Sequence, residues 1–251
     1  MLNHWLDLLF PAKLCALCQQ PGNFSTQNPW CSDCQQRLNA LQNKYGCCQH
    51  CGRFLLTPQQ LCPECREHSF PFMARAAYPY EAESRKAIHA LKFRRDQRLA
   101  AAMAKRMYMI TQKEAGLFAL CEVIVPVPLS PNRLQQRGFN QSQRLAKKLG
   151  QLLHLPCAER ALFITRSVSV QHTLSRQQRQ FNLLAAMQVK PKNIKNRHVL
   201  LVDDIMTTGS TLTACSQTLL QGGARSITCL CWSAGICQRS EERRVGKECR
   251  S

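Results

Sequence analysis

Four C-x-x-C knuckles crowd the first quarter of the chain: Cys15 and Cys18, Cys31 and Cys34, Cys48 and Cys51, Cys62 and Cys65. Twelve, thirteen and ten residues separate successive knuckles. Each knuckle turns tightly enough for both thiolates to reach one metal ion. Two of them complete a tetrahedral four-cysteine site of the closed, structural zinc kind. A redox reading of one C-x-x-C is weakened by three more in series. The pattern therefore predicts one or two structural Zn2+ ions. It leaves the pairing open, as sequential ribbons or a cross-braced arrangement. Cys47 sits beside Cys48 and could replace it, although Cys48 keeps the spacing and Gly52 suits a ribbon turn. Closed four-cysteine sites have no open coordination position, so this module is expected to scaffold or dock. It is small and polar, and metal binding, at about 10–16 kcal/mol per site, would be its folding free energy. Metal removal is accordingly expected to unfold residues 10–68 and to spare the rest.

Charge separates the module from the remainder of the chain. Over 251 residues, 34 Lys plus Arg face 15 Asp plus Glu, a formal net charge of +19. Residues 1–70 hold 5 basic and 4 acidic side chains, whereas residues 131–200 hold 13 basic and one acidic. The excess implies an anionic partner for the middle of the chain: nucleic acid, a phosphorylated metabolite or an anionic surface. A hydrophobic content of 45% excludes wholesale disorder. No apolar run approaches the ~18 residues of a membrane span. Met1–Phe10 carries Asp7 and lacks the basic start of an export signal. Leu2, Trp5, Leu6 and Leu9 instead trace one face of a helix. A cytoplasmic protein with reduced thiols is expected.

The organisation reads as three parts. Residues 1–70 hold the N-terminal helix and the double zinc ribbon. Residues 71–234 form the second domain, entered through an extended linker at Tyr78-Pro79-Tyr80. Residues 235–251 are a polar tail, read as a read-through or cloning scar outside the fold. After the linker come two helices, one with Ala87, Ile88 and Leu91 on a face, one with Leu99, Met103, Met107 and Ile110. Between them, Lys92-Phe93-Arg94-Arg95 makes a basic corner, either a solvated face or a nucleic-acid contact. Strands are then expected at Val123–Val127, Ala161–Thr165, Val199–Val202 and Ser226–Trp232, with helices over 140–153 and Thr211–Gln221. The alternation predicts an α/β domain with a parallel sheet.

The sharpest chemical signal runs from Val199 to Thr211: Val-Leu-Leu-Val-Asp-Asp-Ile-Met-Thr-Thr-Gly-Ser-Thr. It is a buried strand, two acids at its carboxyl end, a hydroxyl-rich turn and a helix. Open α/β sheets bind ligands at that end of their strands. Backbone amides, the hydroxyls of Thr207, Thr208, Ser210 and Thr211 and the helix N-terminus can cradle a phosphate, and Gly209 permits close approach. The adjacent carboxylates suit ribose hydroxyls, directly or through a hydrated Mg2+.

This stretch resembles the phosphoribosyl pyrophosphate (PRPP) signature of type I phosphoribosyltransferases. The resemblance implies that Asp203 and Asp204 engage the ribose 2- and 3-hydroxyls. It implies that Thr207, Thr208, Gly209, Ser210 and Thr211 hold the 5-phosphate, with Mg2+ accompanying PRPP. Val125-Pro126-Val127-Pro128-Leu129-Ser130, Arg133 and Arg137-Gly138-Phe139-Asn140-Gln141 resemble the ComF family, in which this stretch forms a loop near the pyrophosphate. Guanidinium forks such as Arg133 and Arg137 match phosphate oxygens. Gln171-His172-Thr173-Leu174-Ser175-Arg176, with Arg179 and Asn182, resembles the family's mobile loop, which would close over the ligand.

The family also carries an N-terminal zinc ribbon, so the resemblance covers residues 10–233. It implies a type I phosphoribosyltransferase-like parallel sheet flanked by helices behind a zinc-ribbon module. It also implies a role in DNA uptake or utilisation, with single-stranded DNA and DNA-processing proteins as partners. Two alternatives stay open: an active phosphoribosyltransferase of nucleotide metabolism, and a zinc-ribbon protein-assembly module. No acceptor pocket is legible, and no residue is assigned a catalytic role.

Overall fold

The computed structural model describes residues 14–22, 24, 28–57, 60–93, 97–165 and 184–237. Its strands are β1 Gly46–Cys47, β2 Phe54–Leu55, β3 Met73–Pro79, β4 Val123–Pro126, β5 Leu162–Ile164, β6 Met187–Val189, β7 His198–Met206, β8 Ser226–Ala234 and β9 Ile236–Cys237. Its helices are α1 Ser32–Gln42, α2 Pro63–Glu67, α3 Ala82–Phe93, α4 Gln97–Lys113, α5 Ala115–Phe118, α6 Pro131–Arg137, α7 Gln141–Leu153 and α8 Ser210–Gln221. The stretch Leu2–Leu9, the expected mobile loop with Gln171, Arg176 and Arg179, and the tail beyond Cys237 lie outside the described residues.

A four-stranded parallel sheet in the order β3–β8–β7–β4 carries the α/β domain. The central strand β7 is apolar on both faces because both faces are covered. Leu200 and Val202 pack with Trp232, Leu91, Met103 and Leu145 on the side of α3, α4 and α7. Val199 and Leu201 pack with Leu212, Cys215 and Leu219 of α8 on the other side. An antiparallel hairpin of β5 and β6 joins that second layer.

The segment read as an extended linker is β3, an edge strand of the sheet. It pairs with β8 from Met73 opposite Thr228 to Pro79 opposite Ala234. Its run Ala74, Ala76, Ala77 and Tyr78 is too short and too small to stand out by periodicity, yet burial covers all four. The chain end also departs from expectation. One residue past β8, Ile236 and Cys237 pair in parallel with Phe54 and Leu55, so the ordered fold continues past Ala234. The free edge of β2 takes up those backbone groups.

The zinc-ribbon module does not stand apart. Trp30, Leu38 and Leu41 belong to the same core as Tyr78, Leu91 and Trp232. The Trp30 and Trp232 rings lie 6.5 Å apart, and Tyr78 and Trp232 4.7 Å. Arg37 of α1 pairs with the buried Glu83 of α3 at 2.7 Å. Burial opposes the Glu83 charge, yet the Arg37 hydrogen bond leaves its carboxyl below the ordinary range. At the other end, Gly52 has a left-handed φ of +68°, and an added Cβ would stand 2.4 Å from the Ala74 carbonyl oxygen of β3.

This shared core changes the expectation that residues 10–68 unfold alone on metal removal, since their loss would expose Trp232 and Tyr78. Trp30→Ala is expected to destabilise by about 3–5 kcal/mol, as large aromatic truncations do. Urea unfolding followed by far-UV circular dichroism should show one transition at lower denaturant. A separate early transition of the ribbon would contradict the shared core.

Candidate functional site

Two clusters of four thiols establish sequential pairing of the knuckles: Cys15, Cys18, Cys31 and Cys34, then Cys48, Cys51, Cys62 and Cys65. Within each, the sulfurs lie within 4.8 Å of one another. Tetrahedral Zn–S bonds of about 2.3 Å require S···S edges of about 3.8 Å. Cys15–Cys34, Cys18–Cys31 and Cys51–Cys62 span 3.9, 3.7 and 3.7 Å. The amides of Cys31 and Cys62 each donate to a sulfur, Cys15 and Cys48, at 3.3 Å. Arg37 donates to Cys34 Sγ at 2.9 Å, and Arg53 to Cys62 Sγ at 3.2 Å, so each anionic cluster has its own guanidinium. The donor sets fit two structural zincs. Cys47 is exposed and outside the second set, which Cys48 completes.

The paired acids close the carboxyl end of β7. Asp203 and Asp204 are each 7% exposed. Asp203 Oδ1 accepts from Ser142 Oγ at 2.7 Å and from the Asp204 amide at 2.8 Å. Ser142 is placed by Asn140, which caps α7. Asn140 Oδ1 accepts from the amides of Ser142 and Gln143, and its Nδ2 donates to the Val127 carbonyl at 2.9 Å. The Arg-Gly-Phe-Asn-Gln stretch thus ties the strand before it to the helix that reaches Asp203. Burial, and then the neighbouring Asp204 charge, push the Asp203 carboxyl up to about 8.

Beyond the acids the chain turns through Thr207 and Thr208, both exposed, to Gly209, which starts α8 with φ +80°. Thr208 and Ser210 hydroxyls lie 3.0 Å apart. Thr213 Oγ1 donates to the Gly209 carbonyl at 3.0 Å and secures the turn from behind. The first amides of a helix have no intrahelical acceptor; the Ser210 amide donates to Thr208 Oγ1 at 3.5 Å, and with the Thr211 amide it lies at the same place as the hydroxyls.

Arg133 and Arg137 are carried on α6, a short helix where the family resemblance implies a loop; Pro131 starts it and Gly138 ends it. Arg137 lies over the Phe93 ring at 6.0 Å. Burial and Arg133 repulsion lower its pKa, while Asp204 opposes that shift, so all three charges act on one region.

Sequence reasoning misses the role of Lys92. It sits in the basic corner, but its Nζ pairs with Asp204 Oδ2 at 2.5 Å. Its place one residue after Leu91, at the end of a helix lying over the sheet, is the available signal. Phe70 is also missed: its ring meets Gly209, where an added Cβ would stand 3.1 Å from Cε1.

This is a phosphoribosyltransferase-type domain carrying a double zinc ribbon. The chain matches the phosphoribosyl transferase domain over residues 134–251 and the double zinc ribbon domain over residues 5–71. It is 33% identical over 215 residues to the DNA utilization protein YhgH of Escherichia coli strain K12, covering 78% of this chain and 94% of that one. It is 31% identical over 207 residues to Competence protein F of Haemophilus influenzae, covering 80% and 88%. It is 25% identical over 232 residues to Competence protein ComFC of Bacillus subtilis, covering 84% and 90%. The chain belongs to the ComF family of competence and DNA-utilisation proteins.

The raised Asp203 carboxyl has a stability consequence. The folded state holds this proton more tightly than the unfolded chain, where a carboxyl titrates near 4. Its contribution is full below that value and is lost as pH rises toward 8. Asp203→Asn keeps both accepted hydrogen bonds and removes the charge. It is expected to raise Tm at pH 8, by about 2–4 °C per kcal/mol recovered, and to flatten the fall in Tm between pH 5 and 8 (roughly the span between the two titrations). An unchanged pH profile would show that Asp203 is not the group involved.

Proposed function

We propose that this chain binds PRPP, with Mg2+, at the end of β7 and takes single-stranded DNA on a basic groove beside it, as a cytoplasmic DNA-utilisation factor. The observation that carries the PRPP reading is the convergence of Asp203, Asp204 and Lys92 with the Thr207–Thr211 turn. The carboxylates take the ribose hydroxyls, and Asp203 and Asp204 would also hold a hydrated Mg2+, whose oxygen preference they meet. The hydroxyls and amides of Thr207, Thr208, Gly209, Ser210 and Thr211 take the 5-phosphate. Lys92 pairs with Asp204 in the free chain, and a cation held by the acids would free it for the pyrophosphate. Arg133 and Arg137 supply further charge there.

The groove lies between α4 and α7. Arg98, Lys105, Arg144, Lys147 and Lys148 line it, with Ala101 and Leu152 among its apolar residues, and it encloses about 810 Å³. Among the described residues no acidic side chain lines it, though Lys147 also reaches Glu159 at 3.0 Å. Arg144 lies over Phe139 at 3.6 Å, an apolar and cationic surface of the kind bases and phosphates share. No helix among the described residues is long and apolar enough to cross a membrane. The thiolate centres suit a reducing compartment.

Two measurements test the two ligands. Calorimetry with Mg–PRPP should show binding that the Asp203→Ala/Asp204→Ala double variant loses by about 100-fold or more, given about 1.5–3 kcal/mol per charge-assisted hydrogen bond. Unchanged affinity would sink the site. Pyrophosphate release across a panel of nucleobases, with and without single-stranded DNA, separates a binding domain from a transferase. For the groove, Lys105→Ala/Lys148→Ala is expected to lower affinity for an oligothymidylate. The slope of log K against log salt should fall by about 1.4, for two phosphate contacts at about 0.7 each. An unchanged slope would move the strand elsewhere.

A further inference from the structure

We propose that the second zinc ribbon is a wall of the phosphoribosyl site, with Phe70 as the positioning residue that holds Gly209 and, through it, the phosphate-binding turn.

Contacts run from the second thiol cluster to that turn without a break. Arg53 donates to Cys51 Sγ at 3.5 Å and Cys62 Sγ at 3.2 Å, pairs with Glu64, and lies 6.0 Å over the Phe70 ring. His50, between Cys48 and Cys51, stacks on Phe70 with centroids 6.5 Å apart. The Phe70 carbonyl accepts from His50 Nε2 at 3.2 Å. The Phe70 ring also rests on Gly209, and the Phe72 ring lies 5.2 Å from it. A backbone route runs in parallel. The Phe54 amide of β2 donates to the Gly235 carbonyl at 3.1 Å, and the Gly235 amide donates to the Met206 carbonyl at 2.8 Å, one residue before Thr207.

The first ribbon makes a different attachment, through Trp30 and the Arg37–Glu83 pair, to the helix layer. The two centres therefore differ in what they support. A loop of exposed threonines around a left-handed glycine gains little from its own contacts. An aromatic ring against Gly209 limits the backbone freedom that glycine otherwise has. The zinc-loaded fold of residues 48–65 sets where that ring sits, since His50 and Arg53 belong to the turn of the knuckle at Cys48 and Cys51.

This inference rests on the PRPP reading, so its test carries a readout that needs no ligand. In the full zinc-loaded chain, hydrogen exchange is followed at amides 207–212, and calorimetry with Mg–PRPP is run beside it. Phe70→Ala is expected to speed exchange of those amides and to weaken PRPP binding, each about tenfold, which corresponds to about 1.4 kcal/mol. Zinc content and exchange in β7 and β8 should match the wild type. Phe70→Leu, which restores apolar volume against Gly209, should recover most of both. Unchanged loop exchange in Phe70→Ala overturns the proposal. So does a rise spread evenly over the sheet, which would mark Phe70 as ordinary core. A loop that responds to Phe70→Ala in a chain that never binds PRPP upholds the contact and removes the phosphoribosyl reading instead.

Discussion

Two carboxylates at the end of a strand buried on both faces are costly to hold, because water that would solvate them is excluded. Much of the surrounding structure answers that cost. Ser142 and a backbone amide satisfy one oxygen of Asp203, and Lys92 neutralises Asp204. Asn140 aims Ser142, and the start of α7 follows from Asn140. Burial and the Asp204 charge still push the Asp203 carboxyl above the ordinary carboxylate range, so the compensation is incomplete. Incomplete compensation is what a binding site needs, since a ligand supplying hydroxyls and a cation finds acceptors not fully satisfied by the protein.

The zinc ribbons extend the same logic to a second kind of anionic centre. Four thiolates on a divalent ion leave a net negative cluster, and each is met by one guanidinium, Arg37 or Arg53. Each of those guanidiniums also reaches a carboxylate, Glu83 or Glu64. For Arg37 that carboxylate belongs to the α/β domain, so neutralising the thiolates also docks the module. The near-neutral total of residues 1–70 hides this arrangement, in which the charges are paired and not merely few.

What could be read from the sequence was whatever has a fixed spacing or a long period. The knuckles announce themselves because both sulfurs of a pair must reach one ion. The run from Val199 to Thr211 does so because a strand covered on both faces and a glycine turn leave little freedom in residue choice. β3 escaped because four small or aromatic residues around a proline carry no helical or strand period worth trusting. Lys92 escaped because a lysine at the end of a helix reads the same whether it meets solvent or Asp204. Phe70 lies in Ser-Phe-Pro-Phe, which reads as a boundary, and the contacts that join the two parts there, Gly52 against Ala74 and the return of the chain at Ile236, are long-range. Neither knuckle spacing nor the charge count could pair α4 with α7, so the groove belongs to tertiary structure alone.

The helix α7 connects the two anion sites of the proposed function. Its first turn holds Asp203 through Ser142, and its outer face supplies Arg144, Lys147 and Lys148 to the groove. At 1.5 Å per residue, Ser142 and Lys148 are about 9 Å apart along the axis. That is close to the screening length of about 8 Å at physiological salt. A pyrophosphate at one end and a DNA phosphate at the other would therefore repel each other weakly if nothing stood between them. Arg144, two residues from Ser142 and stacked on Phe139, stands there. A fixed cation at that position would lower what repulsion remains between the two proposed ligands. The basic residues of α7 thus serve both sites of the proposed function, Arg144 nearest the acids and Lys147 and Lys148 further along the groove.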